Sequence, residues 1–141
     1  MKKLFLLLIL ISLFSIVSFA QTYERAKIWD KEIDSISDFD KRQTPPEKAV
    51  LFVGSSSIRL WTNLRQSFPK INVINRGFGG SRIEDTNYYF DRIVAPYNPR
   101  IIVFYAGEND VNDGLTPERV ADDYKKFSQL VRQKFPKVKI I

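Results

Sequence analysis

Residues 49–57 read Ala49-Val50-Leu51-Phe52-Val53-Gly54-Ser55-Ser56-Ser57, and this stretch decides the fold. Five apolar residues without alternation, β-branched near both ends, describe a strand covered on both faces. The glycine and three serines that end it start a turn. Downstream, Ile58, Trp61, Leu64 and Phe68 recur at helical spacing until Pro69. The same strand-then-helix unit then repeats. Ile71–Ile74 reads as a second strand, with a glycine-rich turn and a helix marked by Ile83, Phe90 and Ile93, closed by Pro96 and Pro99. Ile101–Tyr105 is a third apolar strand. Thr116 is a helix N-cap with Pro117 at the first helical position, ahead of a stripe of Val120, Tyr124, Phe127, Val131 and Phe135. After Pro136, residues 138–141 begin a fourth strand. Strands alternating with helices predict an α/β domain, a mostly parallel sheet with helices on both faces.

Upstream, residues 23–39 place Ile28, Trp29, Ile33, Ile36 and Phe39 at helical spacing among charges, which predicts an amphipathic helix, and Thr44-Pro45-Pro46 forms a stiff connector. Residues 1–20 have the pattern of an export signal: Lys2-Lys3, an apolar run from Leu4 to Phe19, and the small-x-small ending Ser18-Phe19-Ala20. The expected cut lies between Ala20 and Gln21, and the expected location is secreted or periplasmic. An uncleaved anchor is the competing reading, disfavoured because the run is short for a bilayer span. The expected organisation is signal peptide 1–20, helix and linker 21–46, and domain 47–141.

Composition excludes several chemistries. The chain has 141 residues, no cysteine and no histidine. Disulfides, thiol catalysis and imidazole acting as base or ligand are therefore unavailable within it. Its 22 basic and 16 acidic residues give +6, and removal of the signal with Lys2 and Lys3 leaves 20 against 16. That surplus is scattered, apart from a mild excess between Lys125 and Lys139, which argues against a nucleic-acid partner. No stable membrane anchor and no cofactor are expected.

In a parallel α/β sheet, ligands bind beyond the carboxyl ends of the strands. Three segments fall there: Gly54–Ser57, Arg76–Ser81, and Gly107-Glu108-Asn109-Asp110. A serine at a strand-to-helix turn, a glycine N–H and an asparagine amide together suit acyl transfer. A tetrahedral oxyanion needs fixed donors, and glycine lets backbone come close. Simpler readings compete. The serines could cap the next helix. Gly77-x-Gly79 lacks the third glycine of a dinucleotide loop, since position 82 is Arg82. Asp110-x-Asn112-Asp113-Gly114 resembles a calcium loop only in part, with its glycine one place early and Ala121 where glutamate belongs. Trp61 and Tyr105 read as core. Arg76 and Arg82 flank the cleft, where solvated surface is the simpler role and an anion contact the alternative.

Gly54-Ser55-Ser56, Asn75-Arg76-Gly77-Phe78-Gly79-Gly80 and Gly107-Glu108-Asn109-Asp110 resemble, in order and spacing, the first three sequence blocks of the SGNH (GDSL-like) hydrolases. The resemblance covers residues 49–141. It implies a three-layer flavodoxin-like fold and a metal-free serine esterase acting on a small-molecule or carbohydrate ester. It implies Ser56 as nucleophile, with Ser57 the alternative hydroxyl, and the Ser56 N–H, Gly80 and Asn109 as oxyanion donors. Ser55 stands where the family has aspartate. The family's histidine, in a D-x-x-H block near the C-terminus, has no counterpart in these residues. A truncated or partial chain, nearly inactive by itself, is therefore expected. The alternatives are a non-catalytic ester- or carbohydrate-binding remnant and an unstable product.

Overall fold

The computed structural model describes residues 24–141, so the expected export signal lies outside the described residues. A 3-10 turn, Lys27–Trp29, leads into α1 (Asp30–Arg42). Then come β1 (Val50–Gly54), the one-turn helices α2 (Ser56–Arg59) and α3 (Leu64–Ser67), and β2 (Val73–Gly77). The short helices α4 (Ile83–Tyr88) and α5 (Phe90–Ile93) precede β3 (Ile101–Tyr105). The series ends with α6 (Glu108–Asn112), α7 (Pro117–Lys134) and β4 (Lys139–Ile140). The four strands form one parallel sheet in the order β2-β1-β3-β4. This is the expected α/β class, a parallel sheet flanked by helices.

Side-chain alternation along the strands sends residues to two cores. Leu51, Val53, Ile74 and Ile102 point into the larger one, which α1, α4, α5 and α7 close with Ile33, Ile83, Phe90, Ile93, Phe127 and Val131. Val50, Phe52 and Val73 point the other way, under Ile58 of α2 and Leu64 of α3. β1, the strand between β2 and β3, is buried along its whole length, which is why its sequence is apolar at every position. A fully buried side chain such as Leu51 contributes about 1.5–3 kcal/mol relative to exposure.

α7 starts where its sequence says. Pro117 fills the first turn, where no N–H partner is needed, and the Thr116 hydroxyl accepts from the Arg119 N–H at 3.3 Å. The helix expected after β1 is instead two single turns, because the chain opens between Arg59 and Leu64 around Thr62-Asn63. Some apolar residues are more exposed than their spacing predicts. Ile28 is 63 % exposed, Phe39 48 %, Tyr105 54 % and Tyr124 43 %. Tyr105, read as core, is therefore a surface residue at the carboxyl end of β3.

Arg76 departs furthest from expectation. It is buried, not solvated, and its guanidinium bonds Asp40, the Tyr97 hydroxyl and the Asn75 carbonyl. The Tyr97 hydroxyl in turn donates to Asp40, and the arginine lies over the Tyr97 ring, 4.7 Å from its centroid. Burial first, with the Asp40 contact adding to it, pushes the Tyr97 phenol up to about 12. This cluster fastens the end of α1 to β2. At the start of α1, the Tyr89 hydroxyl meets the Ala26 carbonyl at 2.8 Å and Asp30 at 2.6 Å. Among the described residues no helix is long and apolar enough to cross a membrane.

Candidate active site

The register fixes where the three polar segments begin. Gly54 of β1 pairs with Gly77 of β2 and with Tyr105 of β3, so the strands end level and their loops leave the sheet side by side. Two backbone bonds then tie the loops together: Phe78 N–H to the Gly54 carbonyl at 3.1 Å, and Ser55 N–H to the Tyr105 carbonyl at 3.3 Å. Gly54 must be glycine. A Cβ there would lie 1.9 Å from the Tyr105 carbonyl oxygen, which is backbone and cannot move aside.

Asn109 completes the junction. It sits in the first turn of α6, behind Gly107, whose φ of +116° suits glycine. Its amide Nδ2 donates to the Ser55 hydroxyl at 2.6 Å and to the Ser81 carbonyl at 3.0 Å. One side chain thus touches residues next to both Ser56 and Gly80. The three serines differ sharply in environment. Ser55 is fully buried, Ser56 half-buried as the first residue of α2, and Ser57 exposed. Ser55 occupies the N-cap position, but its hydroxyl makes no capping bond and accepts from Asn109 instead. Gly80 is exposed, and a Cβ built on it meets nothing within 4 Å, so its backbone borders open space.

The neighbouring Gly79 is the opposite case. Its φ is +43°, and its Cα faces the Trp29 indole so closely that a Cβ would fall 2.0 Å from the ring. Its N–H donates to the Glu32 carboxylate at 3.0 Å, and Trp29 packs edge-on against Phe78 at 6.1 Å. The N-terminal helix thereby holds the glycine-rich loop from behind. Sequence reading identified α1 as amphipathic but gave no sign that Glu32 and Trp29 serve this loop, because they lie about 50 residues upstream of it.

Beneath the site is a set of buried carboxylates. Asp110 is fully buried and accepts the Ile83 N–H with both oxygens at 3.2 Å, capping α4. Asp85, also fully buried, accepts the Arg82 N–H at 2.8 Å and pairs with Arg25 at 3.2 Å. Burial pushes both carboxyls above the usual aspartate range. Arg82 pairs with Asp113 at 2.6 Å and Glu84 at 3.3 Å. The hydrogen bond to Arg82 holds Asp113 below the usual range. Asp110 and Asp113, which resembled part of a calcium loop, are thus engaged as a helix cap and as an arginine partner. Among the described residues no group of three or more acidic side chains is arranged to hold a metal.

The arrangement offers a half-buried hydroxyl, an open backbone edge and a positioned amide where three loops meet, which suits chemistry that builds negative charge on an oxygen.

Comparison with known proteins shows what the chain as a whole is similar to. The bovine platelet-activating factor acetylhydrolase IB subunit alpha1 is 27% identical over 106 residues, covering 72% of this chain and 44% of that protein. The chain thus spans less than half the length of this curated relative. A solved structure from Streptococcus pneumonia superposes with a TM-score of 0.70 at 16% identity, over 89% of this chain and 58% of that one. A GDSL-like lipase from Bacteroides thetaiotaomicron does so with a TM-score of 0.60 at 23% identity, over 82% and 55%. The sequence profile of the GDSL-like Lipase/Acylhydrolase family matches residues 34–141, and the chain belongs to that family.

Proposed function

We propose that this chain carries the nucleophile and oxyanion half of an exported serine ester hydrolase that acts on small acyl esters, acetylated carbohydrates among them. The observation that carries the reading is the Asn109 amide, bonded at once to Ser55 and Ser81 and so set between Ser56 and Gly80. In the proposed reaction the Ser56 hydroxyl oxygen attacks the ester carbonyl carbon and gives its proton to a base. The Ser56 and Gly80 N–H groups and the Asn109 amide receive the oxyanion. Collapse expels the alcohol, which takes the proton, and water then releases the acid from the acyl-serine.

Both hydrogens of Nδ2 are engaged without substrate, so an oxyanion must draw one of them away. Ser55 supports this step. A hydroxyl oxygen holds an amide hydrogen less strongly than the carboxylate at the corresponding family position would. The base is not among these 141 residues, which contain no histidine. We place it in the part of the relatives' length that this chain does not span.

The test is hydrolysis of p-nitrophenyl acetate by a product of the reading frame extended beyond Ile141. Activity that falls by about four to six orders of magnitude in Ser56→Ala supports the reading, and activity untouched by that change overturns it. For the 141 residues alone, the expected rate is close to background. A remnant that only binds esters would give calorimetric heat with acetylated sugars and no Ser56-dependent turnover in the extended product.

A further inference from the structure

Apart from the loops above, one unexplained feature is a cavity of about 420 Å³ on the outer side of the edge strand β2. The connector between α1 and β1, the α2–α3 turn and β2 enclose it, and its volume falls in the range of small-molecule sites. We propose that this cavity binds a carboxylate-bearing sugar ring, a hexuronate.

Its flat wall is Trp61. The indole is 36 % exposed yet fixed in place. Its N–H donates to the Ser67 hydroxyl at 3.2 Å, and its ring lies edge-on to Phe52 at 5.8 Å and tilted on Phe68 at 5.8 Å. A rigid aromatic face loses little entropy on contact and suits the C–H face of a pyranose. The charge of the lining is one-sided. Arg59, Arg65 and Arg76 face a single carboxylate, Asp40, which already bonds Arg76 and Tyr97. Among the described residues Arg59 has only the distant Glu32 oxygen at 3.7 Å as an ion-pair partner. Arg65 is exposed and has no ion-pair partner among the described residues. A guanidinium without a carboxylate beside an aromatic plane suits a planar carboxylate on the ligand, which it can grip with two parallel bonds. Thr44 and Thr62 add hydroxyls at the rim. A neutral sugar would leave Arg65 unanswered, and a bare anion would leave the indole uncovered.

This reading is independent of ester hydrolysis, because binding alone tests it. Glucuronate, glucose and inorganic phosphate are titrated into the full chain by calorimetry and by tryptophan fluorescence. Saturable glucuronate binding with a fluorescence change is expected. Loss of that change in Trp61→Phe would place the ligand at Trp61 and not at Trp29. Arg65→Gln, a surface change that leaves the fold intact by its thermal melt, is expected to weaken glucuronate about tenfold. Salt is expected to weaken it further. Glucose binding as tightly as glucuronate overturns the proposal. So does phosphate matching glucuronate, or the absence of heat at glucuronate concentrations on the order of 10 mM.

Discussion

Replacing Ser55 and Asn109 by alanine, singly and together, tests whether the Asn109 amide joins the loops in solution. Ser55 is fully buried, and the amide at 2.6 Å is the hydrogen-bond partner seen for its hydroxyl. Asn109→Ala removes that bond and the one to the Ser81 carbonyl at 3.0 Å, each worth about 1 kcal/mol. It also strands a buried hydroxyl, at roughly 1 kcal/mol more. The expected loss is about 2–3 kcal/mol. Ser55→Ala forfeits only one bond and leaves Asn109 its second acceptor, so about 1 kcal/mol is expected. Because the two changes share an interaction, the double variant should lose about 1 kcal/mol less than the sum of the singles. Urea unfolding followed by tryptophan fluorescence measures all three against the parent chain, at a constant dependence on denaturant. Additivity within about 0.3 kcal/mol would show that the bond contributes nothing and refute the argument that Asn109 fixes the site's geometry.

Gly54→Ala would set a methyl 1.9 Å from the Tyr105 carbonyl oxygen and should cost more than about 3 kcal/mol, whereas Gly80→Ala meets open space and should stay within about 0.5 kcal/mol. Thermal melts of the pair check this, and equal losses would contradict it. Asp40→Ala strands the buried Arg76 guanidinium and should destabilise by roughly 3–5 kcal/mol. Adding Arg76→Met should recover a large part of that loss, and no recovery would mean the charge was not the cost. The acid dependence follows from Asp85 and Asp110. Burial raises both carboxyls above their unfolded value of about 3.9, so their stabilising protonation is complete below that value and lost as pH rises through the folded one. Asp113, lowered by Arg82, acts in reverse, with stability present above about 3.9 and lost as pH falls through its folded value. Stability should therefore peak in mild acid. Asp110→Asn should flatten the fall toward neutral pH, and an unchanged slope in a series of melts would count against the assignment.

How much of this was legible depended on whether the partners were local. β1, β3 and α7 could be read nearly to the residue, since an apolar run or a Thr-Pro cap acts within its own segment. β2 was misplaced. Its second half carries the half-buried Asn75, which bonds the Ile58 carbonyl, and Arg76, which a strand can bury only because Asp40 and Tyr97 wait 36 and 21 residues away. The loop residues of the site were legible as three blocks, but not the bond that joins them. Nothing in Gly54-Ser55-Ser56 indicates that Ser55, and not the first turn of α2, takes the Asn109 hydrogen. The support given to Gly79 by Trp29 and Glu32 was hidden for the same reason. It depends on how α1 docks, and periodicity shows which face a helix buries but not what lies beneath it.

The level ends of β1, β2 and β3 bear on how such a chain can vary in length. Because Gly54, Gly77 and Tyr105 share one rung, the loops are placed by counting residues along strands, not along the connections between them. An insertion in the exposed turn at Gly114 lengthens a connection and leaves the rung intact. One residue added within β3 would move Tyr105 along by about 3.3 Å and turn every later side chain to the opposite face. Length is thus free to drift between strands and held constant within them, so relatives of very different size can keep the same three loops in the same place.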